Sequence, residues 1–245
     1  MCFIYDKNHL HFKVFRLTLF LEKKTQVNVF VVFLFPVNFI ELSDPKEIAL
    51  IERVNDVYLK KGVKQTTMDD MAKTLNVSKK TLYKYVKNRK ELVMKSTCFH
   101  VFKDRQKVTA IQNKEYDPII EQYELAKFVI ETLSKINPVL HSDLEHFFPE
   151  AWVYLNEYFN GFVFESLHRN LVRGQMEGVY HKYFKPDIVA RFFATRIDII
   201  FDGELFPSSE FNFKDIYLEY LMYHLNSIVS EKGKNTLKTL DFKHL

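Results

Sequence analysis

The chain has 245 residues, 47% of them hydrophobic and 27% charged, with a net charge of +4; this balance excludes a disordered tail and suits one or two packed cores. With 24 Phe and 13 Tyr, a core must be built largely from rings and has the means to wall an aromatic cavity. Cys2 and Cys98 lie far apart, and no group of Cys and His has the spacing of a zinc site, so neither a disulfide framework nor a metal is expected, no cofactor is implied, and a reducing cytoplasm fits best.

The charge is unevenly spread. Residues 43–95 carry thirteen Lys and Arg against seven Asp and Glu, a balance of +6, whereas residues 96–245 carry seventeen against twenty-one, a balance of −4. The basic character is local and points to a polyanionic partner for one part of the molecule only.

Residues 1–42 stand apart from the rest. Their apolar run, Val27 to Ile40, is interrupted by Asn28, Pro36 and Asn38 and is shorter than the roughly 17 to 25 residues a membrane helix needs. The charges are scattered and no small-residue cleavage site follows. Three readings stay open: an extra segment, a membrane-associating arm, or translation from a start set too early, of which the last is preferred because the segment lacks the local consistency of the later sequence.

From residue 43 the punctuation is helical. Ser43-Asp44-Pro45, Asp117-Pro118 and Asn137-Pro138 set a capping side chain before a proline at the first helical position, where its missing N–H costs nothing. Phe148-Pro149 and Lys185-Pro186 are weaker starts, and Gly62, Gly178 and Gly233 read as stops. About nine helices are expected, near 45–61, 67–75, 78–85, 89–113, 117–136, 138–146, 149–177, 186–202 and 213–231. The fold class is all-α, with an atypical extension at 1–42, a first, three-helix domain at 43–92 and a second helical domain at 93–245.

The segment GVKQTTMDDMAKTLNVSKKTLYKYVKNRKEL, residues 62–92, carries the functional signal. Thr67 and Asp70 have capping-box spacing; Met68, Met71, Ala72 and Leu75 recur at helical spacing; Asn76 tolerates a tight turn; Ser78 caps the following helix. This is helix-turn-helix order. The second helix offers Lys79, Lys80, Thr81, Tyr83, Lys84 and Tyr85 with Leu82 and Val86 as anchors. Base edges are met by such a helix mainly through its first turn, and lysines and tyrosines farther along grip phosphates. Arg89 and Lys90 begin the next helix, whose N-terminus itself favours an anion.

Residues 48–92 resemble the DNA-binding domain of the tetracycline-repressor (TetR) family on Val57-Tyr58, Gly62, Thr66-Thr67, Met71-Ala72, Val77-Ser78, Thr81-Leu82-Tyr83, Tyr85-Val86, Arg89 and Leu92. The resemblance implies that Thr66 and Thr67 meet the phosphate backbone, that Lys79, Lys80 and Thr81 face bases, and that Tyr83, Tyr85 and Arg89 clamp phosphates. Three departures stand out: Asn76 where Gly is usual, Lys80 where Gly is frequent, and Arg89 in place of Lys. A later stretch, Asn170 to Tyr180 followed by Lys185-Pro-Asp-Ile-Val-Ala-Arg-Phe-Phe, is similar to the family's joint between its seventh and eighth helices.

The remaining candidates are weaker. Phe99, Phe102, Tyr123, Phe128, Trp152, Tyr158, Phe159 and Phe162 are candidates for an apolar pocket, although each singly reads more readily as core. His100, His141, His146, His168 and His181 have no regular spacing and read as structural or surface residues. Apolar residues on the last two long helices, among them Phe192, Phe193, Ile197, Tyr217, Tyr220, Leu221, His224 and Ile228, cover more surface than one core requires and suggest a homodimer interface. No nucleophile, base and orienting acid recur together, so an enzyme is not expected. The expected function is a one-component transcriptional repressor that binds a pseudo-palindromic double-stranded DNA operator as a dimer and is released by a small apolar or aromatic effector. The alternatives are an accessory DNA binder without ligand control, or a carrier or enzyme that retains the head.

Overall fold

The computed structural model describes residues 12–20, 26–34, 44–194, 197–242 and 245. It divides into two compact units, residues 1–41 and 42–245. The first contains an antiparallel hairpin of β1 (Phe12–Phe20) and β2 (Gln26–Leu34), with Phe12 paired to Leu34 and Phe20 to Gln26. The hairpin was not among the expected elements. Its strands are rich in Val and Phe, which favour extended backbone, but the five intervening residues hold neither Gly nor Pro, so the usual turn signal is missing from the sequence.

The second unit is helical, as expected. Three helices come first: α1 (Pro45–Lys61) and the short α2 (Met68–Leu75) and α3 (Lys79–Tyr85). The long α4 (Arg89–Gln112) leads from them to α5 (Pro118–Leu133) and α6 (Leu140–Phe147). Next α7 (Pro149–Glu157), a π-helical segment (Tyr158–Val163) and α8 (Phe164–Glu177) follow one another without a break. The chain closes with α9 (Pro186–Ala194), a 3-10 helix (Ile197–Phe201), α10 (Phe213–Ile228) and α11 (Glu231–Lys238).

Local chemistry explains most boundaries. Asp44, Thr67, Ser78 and Asp117 each accept a backbone N–H at the helix start they were expected to cap. Thr67 and Asp70 form the full reciprocal box: Thr67 donates its backbone N–H to the Asp70 carboxylate at 3.1 Å and accepts the Asp70 N–H at 3.2 Å. Asn76 takes the left-handed turn at φ 53°.

Where the structure departs from expectation, side chains decide. Asn137 accepts the Val139 N–H, so the sixth helix begins only at Leu140, and Asn137 instead donates its own N–H to Leu59 O at 2.6 Å. The helix expected over 186–202 is α-helical over Pro186–Ala194 and 3-10 over Ile197–Phe201. Gly233 is not a stop. It lies inside α11, capped by Ser230, and an added Cβ would stand 2.2 Å from the Val179 carbonyl oxygen, so the glycine serves a close approach.

Two clusters of buried side chains fill the unit. One runs from Leu50, Ile51 and Val54 of α1 through Met71, Leu82 and Leu92 to Leu144, Phe148 and Leu155. The other gathers Ile119, Leu171, Tyr180, Ala190, Leu221 and Leu225. A polar network ties α5 to α8 beside the second. Asn170 donates to Pro118 O at 2.9 Å and to Glu121 at 3.0 Å, and it accepts from Gln122 at 3.1 Å and Tyr180 at 3.0 Å. Arg173 pairs with Glu121 at 2.8 Å, so the buried acid is compensated.

Candidate nucleic-acid interface and effector cavity

The recognition surface is built by α2 and α3. Leu82, fully buried, and Val86 hold α3 against the first core, which leaves Lys79, Lys80, Tyr83 and Lys84 on its outer face, all exposed. Ser78 is exposed and caps the helix, and half-buried Thr81 hydrogen-bonds to it. Tyr85 is half-buried beneath Lys84, whose ammonium lies 4.8 Å from the ring centroid and 3.3 Å from the hydroxyl. Lys90 is exposed at the start of α4 and Thr67 at the start of α2. Lys79 forms an ion pair with Asp69 of α2, so part of the charge of the expected base reader is already engaged inside the motif.

Two expected phosphate contacts point elsewhere. Thr66 is 2% exposed and donates its hydroxyl to Gly62 O at 2.9 Å. Arg89 turns its guanidinium inward, donating to Val63 O and to Lys64 O at 2.6 Å, and lies 5.2 Å from the Phe148 ring centroid. It fastens the α1–α2 turn, and a neutral backbone rather than a phosphate receives its hydrogen bonds.

Lys95 is a further residue that sequence reasoning missed. Nearly buried on α4, it meets Glu47 of α1 at 2.6 Å and donates to Tyr85 O, the end of α3, at 2.6 Å. One ammonium therefore ties three helices of the head. A lysine in a basic run carries no signal that separates an inward one from its solvated neighbours.

Behind the head lies a cavity of about 160 Å³ whose described wall is drawn from α1, α4, α5, α6, α7, the π segment, α8, α9, the 3-10 turn and α10. Phe128, Tyr158, Phe159 and Phe162 line it as expected. Three of these four belong to the π segment, whose extra residue per turn turns adjacent rings toward one space. The other four pocket candidates do not line it. Phe99 is buried in the first core, Phe102 is exposed, Tyr123 meets Phe242 edge-on at 5.0 Å, and Trp152 stands behind His141 at 5.8 Å.

The polar part of the wall includes His100 and His141, both read in the sequence as structural or surface residues. His141 is fully enclosed, its ring 3.6 Å from that of Phe201 and its Nδ1 without a hydrogen-bond partner; burial drives its pKa down to about 3, so it is neutral. His100 and Asp104, one turn apart on α4, approach to 3.6 Å, and burial raises the Asp104 carboxyl above the usual carboxylate range despite that neighbour. Among the described residues no cluster of three metal-ligating side chains occurs.

The expected dimer residues fall into different environments. Tyr217, Leu221, His224 and Ile228 are buried within the second core and cannot meet a partner chain. Phe193 is half-buried and stacked on Tyr220 at 4.5 Å, and the Tyr220 hydroxyl donates to Phe193 O at 2.7 Å. The side chain of Ile197 lies outside the described residues. Phe192 is open to solvent, and Met176, Ile188 and Tyr223 are exposed on α8, α9 and α10. Both sides of α10 are apolar, and the sequence pattern cannot say which side the chain itself covers.

No protein-family model matches the chain, and no curated protein matches it. Solved structures do. A transcriptional regulator from Cytophaga hutchinsonii superposes with a TM-score of 0.62 at 16% identity, covering 76% of this chain and 100% of the other. The fatty acid degradation regulator FadR from Bacillus halodurans gives 0.60 at 16% identity, with 76% and 97% covered. The regulatory protein TetR from Rhodobacter sphaeroides gives 0.58 at 15%, with 74% and 97% covered. Over about three quarters of its length the chain thus shares the fold of these solved regulators.

Proposed function

We propose that this chain is a TetR-like one-component transcriptional repressor, working in the cytoplasm as a homodimer on a pseudo-palindromic operator and released by a small molecule in the helical cavity. The observation that carries the reading is α4. Its first turns grip the head through Arg89 and Lys95, and two turns on the same helix presents Thr97, His100 and Asp104 to the cavity. A molecule that prefers one setting of α4 therefore prefers one setting of the heads, and by linkage DNA weakens its binding equally.

A helix-turn-helix with exposed Lys79, Lys80, Tyr83 and Lys84 supports the DNA role, and the exposed apolar residues Met176, Ile188, Phe192 and Tyr223 supply surface for a second copy. The sequence resemblance over residues 48–92 and the fold point the same way.

Selection of bound DNA from a random pool, followed by footprinting, tests this. The expected site is one short palindrome whose half-sites are roughly 34 to 36 Å apart. A footprint that spreads along any DNA would overturn the reading in favour of an accessory DNA binder.

A further inference from the structure

We propose that Asp69 and Lys79 act as a unit that reads one G·C base pair in each half-site, the ammonium meeting guanine and the carboxylate accepting from cytosine. The inference rests on the reading of this chain as an operator-binding regulator and deepens it by naming part of the sequence that is read.

Asp69 belongs to α2 and Lys79 is the first residue of α3, and the fold closes them into an ion pair across the turn between the two helices. Neither charge is explained by the needs of its own helix. The start of α2 is capped by Thr67 and Asp70, which complete their reciprocal box without Asp69. Lys79 sets a positive charge at the positive end of α3, where the helix dipole disfavours it, and the first turn of α3 holds no acid to offset it. The Lys79 and Asp69 side chains are 53% and 54% exposed. An ion pair so exposed adds little to stability, and both groups stay within reach of a molecule laid against α3.

A polyanion disfavours the acid, because a carboxylate beside the leading turn of a reading helix faces phosphates of its own sign. It contributes to binding by accepting from a base, and in the major groove the donors are cytosine N4 and adenine N6. The paired lysine separates these two. A G·C edge presents the acceptors N7 and O6 side by side and then the donor N4, so one ammonium meets both acceptors while its carboxylate partner meets the donor. An A·T edge sets the N6 donor between the acceptors N7 and O4, so the ammonium finds one of them, and the thymine methyl lies beyond. Within a G·C pair O6 and N4 are hydrogen-bonded to each other. Groups that meet them are therefore neighbours as well, and the ion pair need not break to engage the base pair.

Selection from a random DNA pool with the full wild-type chain and with Asp69→Ala, followed by competition titrations on the selected site, tests this. The wild-type site is expected to hold a G·C pair at the same step of both half-sites, and its replacement by A·T to weaken binding by about tenfold or more. Asp69→Ala is expected to lose that preference to within about twofold while discriminating at the other positions as before. A second measurement alters the DNA alone: cytosine at that step is replaced by 2-pyrimidinone, which lacks the N4 amino group. Wild type should bind this site more weakly than the cytosine site, whereas Asp69→Ala should not tell the two apart. A melting midpoint of Asp69→Ala at the wild-type value separates lost reading from lost fold, and wild type indifferent to the loss of N4 overturns the proposal whatever the variant's stability. A variant that keeps every base preference, or that gains affinity for all sequences equally, overturns it too and leaves the operator reading standing. If wild type selects no specific site at all, the regulator reading fails and this inference falls with it.

Discussion

Arg89 illustrates how one side chain can be correctly noticed and wrongly aimed. Its position at the start of α4, beside a recognition helix, suits a phosphate clamp, yet its guanidinium is spent on the Val63 and Lys64 carbonyls and lies over Phe148. Removing it leaves two carbonyls of the α1–α2 turn without that donor, at a cost of about 1 to 3 kcal/mol. Arg89→Ala should therefore lower the thermal midpoint of the head and leave the slope of log affinity against log salt where it was. Lys84→Ala, exposed on α3, should do the reverse, sparing stability and flattening that slope by about one. Salt titrations of operator binding beside melting curves separate the two. Lys95 belongs with Arg89: both are cations in a basic run, and both point inward because backbone carbonyls or an acid of the fold wait there.

Helices were the most legible feature, because caps and apolar spacing are local. Thr67 and Ser78 determine where α2 and α3 begin, and Asn76 where α2 ends, using atoms within four residues of themselves. Less legible were the elements whose form depends on a distant neighbour. The rod from Pro149 to Glu177 reads as one uniform helix, and its π segment is not encoded by any breaker other than Gly161. Within the rod's last turns, Gly174 is required by Tyr180: an added Cβ would lie 2.0 Å from the ring, which is buried and holds Asn170 by its hydroxyl. Gly174→Ala should lower stability by about 1 to 3 kcal/mol through overpacking, read as a lower urea midpoint, although alanine is the better helix former. A rise in the midpoint would mean that Tyr180 yields freely and the network from α5 to α8 does not depend on it.

The two buried clusters share a vulnerability to acid. His141 adjoins the first and His224 lies within the second, and burial depresses their pKa values from 6.5 to about 3 and about 4. Each is neutral in the fold, so below about pH 6.5 the unfolded chain binds protons that the folded chain refuses until pH 3 to 4. Stability is thus fully present above pH 6.5 and falls as pH drops, by about 1.4 kcal/mol per pH unit for each histidine. Urea midpoints at pH 7, 6 and 5 should show this decline, and His141→Phe with His224→Phe should flatten it. Neither residue carried a distinguishing mark in the sequence; their burial comes from helices far apart in the chain. The same reason divides the rest. Capping side chains, breakers and 3.6-residue spacing act over a few residues, and they were enough to specify the helix-turn-helix order and most helices from residue 43 onward, though not α11, where Gly233 read as a stop. Which face of α10 is internal, which rings meet at the cavity, and whether a cation points to water or to a carbonyl depend on how separate helices pack, because a side chain's environment is made by neighbours the local pattern does not contain.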